Sequence, residues 1–480
     1  MRSSLVLAFL SLLAVNHLRA DETGPIALTL HPRAIESPAL KYRLLPAETE
    51  IRPGNAAPIL LRLPWEQTQW MTKVYPTLHE WQSRRLDAPE WESSAGVLPE
   101  NFYNEMKRAA YRRDAEWEYP ILETSTPYLI LLPDVQGLRG FLGYGLSAKI
   151  RNHLRQGELE KAREGILVGL ANGRHLAQTP FYVNQLVAVA IHQAMLARTA
   201  ELIAQPESPN LYWALSALPD SMVEIDRAAS LEGQIFALTF PAVTDLDRPR
   251  DEAEWTKMAE QLLALLRELG EIPPREQPKQ GGSLIEQFLQ KLKPADKSHL
   301  TRFITETRAE LPQMLNISQE RVAAMSDDEV TVRWYMHKRL ARDQLASVVM
   351  TLPPAEAWPQ LKRLQQENAL LEARTGAKQS DYLYPLSMYL SAWSLNRHVA
   401  MLRTIEAVRH HLALHGEFPS SLEAITDVPV PLDPLTNKPF EWRLERKIAT
   451  IKAPELPAEV VEPDSALARS HALEYRLRTN

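Results

Sequence analysis

Apolar residues recur at steps of three and four along most of the chain. Leu395, Val399, Leu402, Ile405, Val408 and Leu412 draw one stripe and predict a long helix from about Tyr384 to His415, closed by Gly416 as its C-terminal cap. Three more helices are predicted near Val135–Arg155, Glu158–Ala177 and Pro180–Ala204. Gly157 separates the first two, and Thr179-Pro180 opens the third with a capping hydroxyl and a proline at the first helical position. That third helix is apolar nearly all round (Val183, Leu186, Val187, Ala190, Ile191, Ala194), which predicts a central, buried position. Further helices are expected from about Ala56, over Trp65–Leu86, Glu100–Trp117, Glu254–Leu269, Leu284–Leu292, Ser298–Leu311 and Gln319–Met325, and over Pro354–Arg374. Ser326 and Glu329 form a capping box that opens a helix to about Met350.

After Gly416 the period changes. Ser420 and Glu423 read as a second capping box, and Asp433-Pro434 begins a turn. Phe440, Trp442 and Leu444 alternate with Glu441, Arg443 and Glu445, a half-buried strand whose partner is Ile448–Lys452. A lone hairpin is barely stable in water, so these three apolar residues are expected to pack on the preceding helix near Leu402, Ile405 and Val408. Upstream, Ala39–Leu45 reads as a short strand or an extended arm, and Pro53-Gly54-Asn55 as a break. The end of the chain from Glu455 reads as loose, with a helix over Ser465–Arg478.

The expected fold is mainly α: packed helical hairpins, or a short solenoid-like array, with a small C-terminal β-hairpin. Gly157–Ala171 (GELEKAREGILVGLA) resembles one helix of a tetratricopeptide unit, but no period of 34 residues continues on either side. The expected organisation is a signal segment (1–20), a helical domain (21–270), a linker (271–283), a second helical region (284–400), the last helix with its hairpin (401–453) and a tail (454–480). The linker, EIPPREQPKQGGS, is proline-rich and polar.

Composition narrows the picture further. Only 17 glycines in 480 residues favour helices, and 45% hydrophobic residues exclude a disordered chain despite 36 prolines. Arg2, the apolar run Leu5–Val15 and the small residue Ala20 predict a secretory signal peptide cleaved before Asp21. The most apolar internal run, Leu186–Ile191, has polar flanks and reads as core rather than as a membrane span. The absence of cysteine excludes disulfides and thiolate chemistry. A net charge of -6 gives no general attraction to nucleic acid.

The motifs of nucleotide binding and of serine hydrolysis are missing. Gly140, Gly143 and Gly145 follow no predicted strand, so they read as points of close helix packing. Glu158, Glu160 and Glu164 alternate with Lys161 and Arg163, a solvated face with i,i+4 pairs. His410, His411 and His415 are the densest histidine group. His411 and His415 stand four apart, with Glu406 one turn before His410, yet imidazoles also suit the negative end of a helix. His175, His192 and His398 read as core or edge histidines. Asp427, Asp433 and Asn437 offer oxygens near the hairpin, where turn chemistry alone accounts for them. No residue is assigned a catalytic, cofactor-binding or metal-binding role.

Three blocks carry a resemblance: KYRLLP with PGNAAPILL, then PNLYWALSALP, then the helix LRTIEAVRHHLALHG followed by EFPSSLEAI and PLDPLTNKPFEWRLE. Together they resemble uncharacterised exported proteins of planctomycete-type bacteria. The third block alone resembles the tip of type II secretion pseudopilins, some of which bind calcium near the hairpin. The resemblance implies export and assigns no reaction. PNLYWALSALP itself reads as a short helix that packs through Leu211, Trp213 or Tyr212, Leu215 and Leu218. The expected role is a non-catalytic interaction or scaffold protein of the periplasm or cell envelope, with protein partners. The alternatives are an enzyme whose polar residues converge only in the fold, and a soluble accessory of a secretion or pilus-like machine.

Overall fold

A computed structural model describes residues 24–66, 98–123, 135–268, 297–375 and 385–479, together with Lys73, Val74, Leu78 and Leu86. The expected signal segment, the linker 271–283, the helix at 284–292 and most of the helix at 65–86 lie outside the described residues. Two compact units are drawn from separated stretches. One is built mainly of Ala229–Ser387; the other takes its described residues from 24–119, 135–228 and 388–479. The protein is mainly α-helical with a small sheet at its C-terminal end, the expected class.

In the second unit, β1 (Ile26–Leu30) is followed by β2 (Arg52–Asn55), α1 (Ala57–Glu66), α2 (Glu100–Ala110) and β3 (Arg112–Asp114). Pro53-Gly54-Asn55, expected as a simple break, is part of β2, which pairs with β3 in parallel. The helix expected to reach Trp117 therefore stops at Ala110. Ala39–Leu45 forms turns and bends rather than a strand, with Leu44 buried.

Next come α3 (Val135–Leu138), a π-helical stretch (Arg139–Gly145), α4 (Leu146–Arg155), α5 (Leu159–Ala177) and α6 (Tyr182–Ile203). Helix α5 packs against both α4 and α6 through Gly165, Gly169 and Gly173, spaced four apart. A Cβ on Gly165 would stand 2.7 Å from Ile150, one on Gly173 2.7 Å from the His192 ring, and one on Gly169 would meet Met195. These glycines set the close approach of the three helices, whereas Gly143 has no tight neighbour. A Cβ on Gly143 would meet only Arg139, at 3.8 Å.

Helix α6 is long and apolar enough to cross a membrane by length and composition, and 83% of its most apolar window is buried inside the fold. Its central position is as expected, and Val187, Ala190, Ile191 and Ala194 are buried, but the first turn differs. Val183 and Leu186 are half-buried, whereas Asn184 and Gln185 are buried. The Gln185 amide donates to the carbonyls of Ala177 and Thr179, each at 2.6 Å, and its oxygen accepts from Glu224 N–H at 2.9 Å. A polar residue is stable there because all its hydrogen bonds are made. Thr179 does not cap α6; its hydroxyl donates back to Leu176 O at 2.7 Å, and Phe181 occupies the N-cap.

The chain continues through α7 (Tyr212–Ser216) and α8 (Ile225–Thr239). The unit built on Ala229–Ser387 holds α9 (Glu252–Glu268), α10 (Lys297–Leu315), α11 (Gln319–Ala323), α12 (Asp327–Val349) and α13 (Pro354–Thr375). Helix α12 packs against α9, α10 and α13 around a core that includes Trp255, Leu262, Val332, Trp334 and Tyr335. The Ser326 half of its expected capping box is present, Ser326 Oγ accepting from Glu329 N–H at 3.1 Å, while the Glu329 carboxylate accepts from Arg333 at 2.8 Å.

The second unit resumes in α14 (Pro385–His415) and ends with β4 (Glu441–Glu445), β5 (Ile448–Lys452), α15 (Ala466–Ser470) and β6 (Glu474–Thr479). Ser421 rather than Ser420 precedes the short turn of helix at Leu422–Ala424, and no side-chain cap forms there. The hairpin is not alone: the sheet order is β1-β6-β5-β4, with β1 parallel to β6. Period-two registry places Trp442, Leu444, Ala449, Ile451, Tyr475, Leu477 and Leu28 on one face. The residues from Glu455 onward, expected to be loose with a helix over Ser465–Arg478, are helical only at Ala466–Ser470 and then supply the half-buried strand β6. Leu444 lies 37% exposed on the edge strand, so it does not share the expected seat on α14. Trp442 instead packs on the Phe418 ring at 6.2 Å and donates to Pro419 O at 3.1 Å.

Candidate functional site

Helix α14 organises the polar interior of its unit. Arg397 and Asp433 are buried, at 2% and 0% side-chain exposure. Arg397 Nε donates to Asp433 Oδ1 at 2.9 Å and its Nη2 to Oδ2 at 2.8 Å, a fork-to-carboxylate pair. The same guanidinium donates to the carbonyls of His471 and Pro454, both at 3.2 Å. Asp433 also accepts from the Thr436 hydroxyl at 2.6 Å. Asp433 therefore does more than begin a turn: its carboxylate neutralises a buried cation and is not offered to calcium. Asn437 closes the same turn in a left-handed conformation. Beside this pair, His471 Nδ1 lies 2.7 Å from Ser394 Oγ, and His398 Nε2 lies 2.8 Å from the Tyr475 hydroxyl.

Two to three turns further on, Glu406 and Arg409 form a second pair at 2.8 Å, both fully buried. Arg409 donates to the carbonyls of His31, Pro209 and Ser208 at 3.2, 3.3 and 3.0 Å. Glu406 accepts from Leu211 N–H at 2.8 Å. Burial pushes the Glu406 carboxyl above its ordinary range, while Arg409 and the Leu211 amide pull it back. Asn210 bridges the carbonyls of Arg33 and Glu406, both at 3.0 Å. PNLYWALSALP is thus the segment that docks on α14. Its inward aromatic is Tyr212, whose hydroxyl donates to Pro429 O; Trp213 is only half-buried.

At the C-terminal end of α14, ligand atoms of His411, His415 and Asp427 lie within 4.8 Å of one another. The two imidazole rings are 4.3 Å apart. His411 is 9% exposed and its Nδ1 is buried without a hydrogen-bond partner; His415 and Asp427 are exposed. Burial first, then His415, lowers the affinity of His411 for a proton. His410 is used differently, its Nδ1 accepting from Ile35 N–H at 3.1 Å.

The other singled-out residues serve packing or surface pairing. His175 and His192 are buried, and burial lowers each to about 4, so both are neutral in the core. Glu158 and Glu160 pair at i,i+3 with Lys161 and Arg163, while Glu164 reaches across to Lys107 and Tyr103 of α2. In the other unit, a crevice lined by Trp334, Lys338, Arg342, Glu367, Leu370 and Leu371 has room for about 10 Å³, no more than one water. Sequence reading missed both buried ion pairs. Arg397 and Arg409 lie twelve apart on one helix among apolar residues, the one signal that could have flagged them, but their partners are set by tertiary structure. No family model, no curated protein and no solved structure matches this chain.

Proposed function

We propose that this chain is an exported, non-catalytic interaction or scaffold protein of the periplasm or cell envelope. The observation that carries this reading is how the buried charges of α14 are used. Arg397, Asp433, Glu406 and Arg409 spend their hydrogen bonds on one another and on the backbone of segments 31, 208–211, 454 and 471. Groups so engaged hold distant pieces of chain together; they are not poised to bind a substrate or carry its proton. The export half of the proposal rests on the pattern Arg2, Leu5–Val15, Ala20. The edge strand β4, with Leu444 exposed on it, is a natural place for a protein partner to meet the unit.

The test is cross-linking of the full chain in cells that export it, followed by fractionation. The expected result is recovery from the envelope fraction in cross-linked complexes that Leu444→Glu reduces. Recovery from the cytosol, or as a free chain with no cross-linked partner, refutes the proposal.

A further inference from the structure

The histidine pair at the end of α14 is the one cluster described above whose donors are not consumed by the fold. His411 and His415 share a helix face, the spacing at which two imidazoles chelate one ion. Asp427 arrives from the returning loop, and that loop is fixed on both sides of it. Gly416, at φ +77°, reverses the chain directly after the helix. Pro419 O then accepts from the Trp442 indole at 3.1 Å, and Leu422, Ile425 and Val428 are buried. Just past Asp427, Pro429 O accepts from the Tyr212 hydroxyl. The carboxylate is therefore delivered by a backbone held in place by other parts of the fold. His411 brings a buried ring with an unspent nitrogen.

We propose that His411, His415 and Asp427 bind a divalent first-row transition ion, with zinc the redox-inert choice, and that the ion ties the end of α14 to the returning loop. Two imidazole nitrogens and one carboxylate suit such an ion, whereas calcium takes six or more oxygens. Tetrahedral bonds of about 2.0–2.1 Å put ligand atoms ~3.3 Å apart. The separations here, all within 4.8 Å, close by rotation of two exposed side chains while the buried His411 stays in place. Three protein ligands leave one position for water. The inference does not depend on the scaffold reading, since a tie of this kind would serve any activity.

The test uses the full chain, stripped with a chelator and titrated with zinc chloride by calorimetry; cobalt chloride reports coordination geometry by absorption. One equivalent of zinc and a tetrahedral cobalt spectrum are expected. His415→Ala and Asp427→Asn should each weaken zinc at least tenfold and lose the cobalt bands. Both residues are exposed, so the metal-free melting of these variants should match the parent chain. Glu417→Gln, on a neighbouring carboxylate outside the cluster, should bind as the parent does, and calcium chloride should not compete. Failure to bind zinc, binding that survives either substitution unchanged, or displacement by calcium overturns the site.

Discussion

Replacing Asp433 with alanine tests the pair that fastens the C-terminal sheet to α14. In the parent chain Arg397 is buried and makes two bonds to Asp433 at 2.9 and 2.8 Å, with two weaker ones to carbonyls at 3.2 Å. Alanine removes the only charge that neutralises Arg397 in this cluster and leaves the guanidinium in a low-dielectric site. Breaking a buried pair in this way costs about 3–5 kcal/mol, which is roughly two to three and a half powers of ten in the unfolding equilibrium. Asp433→Asn keeps the shape and one acceptor but loses the charge, so it should fall between the parent and Asp433→Ala. Arg397→Met combined with Asp433→Ala should cost less than the sum of the two single changes, because neither charge is then stranded. Urea denaturation followed by tryptophan emission gives the stabilities, and hydrogen exchange by mass spectrometry on peptides covering β5 and β6 locates the loss. A cost of Asp433→Ala below ~1 kcal/mol, with exchange in β5 and β6 unchanged, would refute the assignment of this pair as the anchor.

Three other outcomes are expected. Gly169→Val drives a branched side chain into Met195 and Leu146 and should cost about 1–3 kcal/mol or more, read as a fall in melting temperature; an unchanged melt would show that the helices can separate freely. Ile191→Ala, at a fully buried site, should cost about 2–5 kcal/mol in denaturant, and Leu186→Ala on the half-buried face distinctly less. Burial holds His175, His192 and His471 near 4, below the ordinary value of 6.5. The unfolded chain therefore takes up protons that the folded chain refuses. Stability is full above about pH 6.5 and falls as pH drops toward 4, by up to about 3 kcal/mol per site. Urea midpoints that stay flat across that window would contradict it.

Local periodicity made the helices legible and left their inward faces less so. The stripe Leu395 to Leu412 marks α14, and Ser326 with Glu329 marks the start of α12, because both signals lie within a few residues of the structure they report. On α6 Leu186 is only half-buried, whereas the fold turns Asn184 and Gln185 inward, Gln185 paired with Ala177, Thr179 and Glu224 and the Asn184 amide donating to the Tyr119 hydroxyl. Nothing within a helical window reports such partners. The segment that forms β6 is expected within a helix over Ser465–Arg478, although EYRLRT alternates charged and apolar residues; its buried face is only Tyr475 and Leu477, too short a pattern to stand out. Its pairing with β1 spans more than four hundred residues of chain, beyond the reach of any local signal. His411 and His415 were visible as a pair four apart. Asp427 joins them only because Gly416 and the anchored loop turn the chain back.

The long-range pairing also explains why charge is placed where apolar side chains would be cheaper to bury. The segment 31–35 must be held beside α14 for β1 to enter the sheet next to β6, and its backbone groups are bonded to α14 and Asn210 along that path. Arg409 reaches His31 O, Asn210 reaches Arg33 O, Arg409 O accepts from Arg33 N–H and His410 accepts from Ile35 N–H. A leucine at position 409 could fill the same space but would leave the carbonyls of His31, Ser208 and Pro209 without this donor, at a cost of about 1–3 kcal/mol for each one left unsatisfied. Direction is the second gain: a guanidinium fixes the approach of each carbonyl, whereas a methyl surface lets a backbone slide along it. Arg409→Leu made together with Glu406→Gln, so that no buried carboxylate is left without its cation, should therefore disturb β1 more than α14 itself. Faster exchange confined to residues 26–35, with the helix amides still protected, is the expected signature. Equal loosening of α14 would mean that the pair supports the helix rather than the incoming strand.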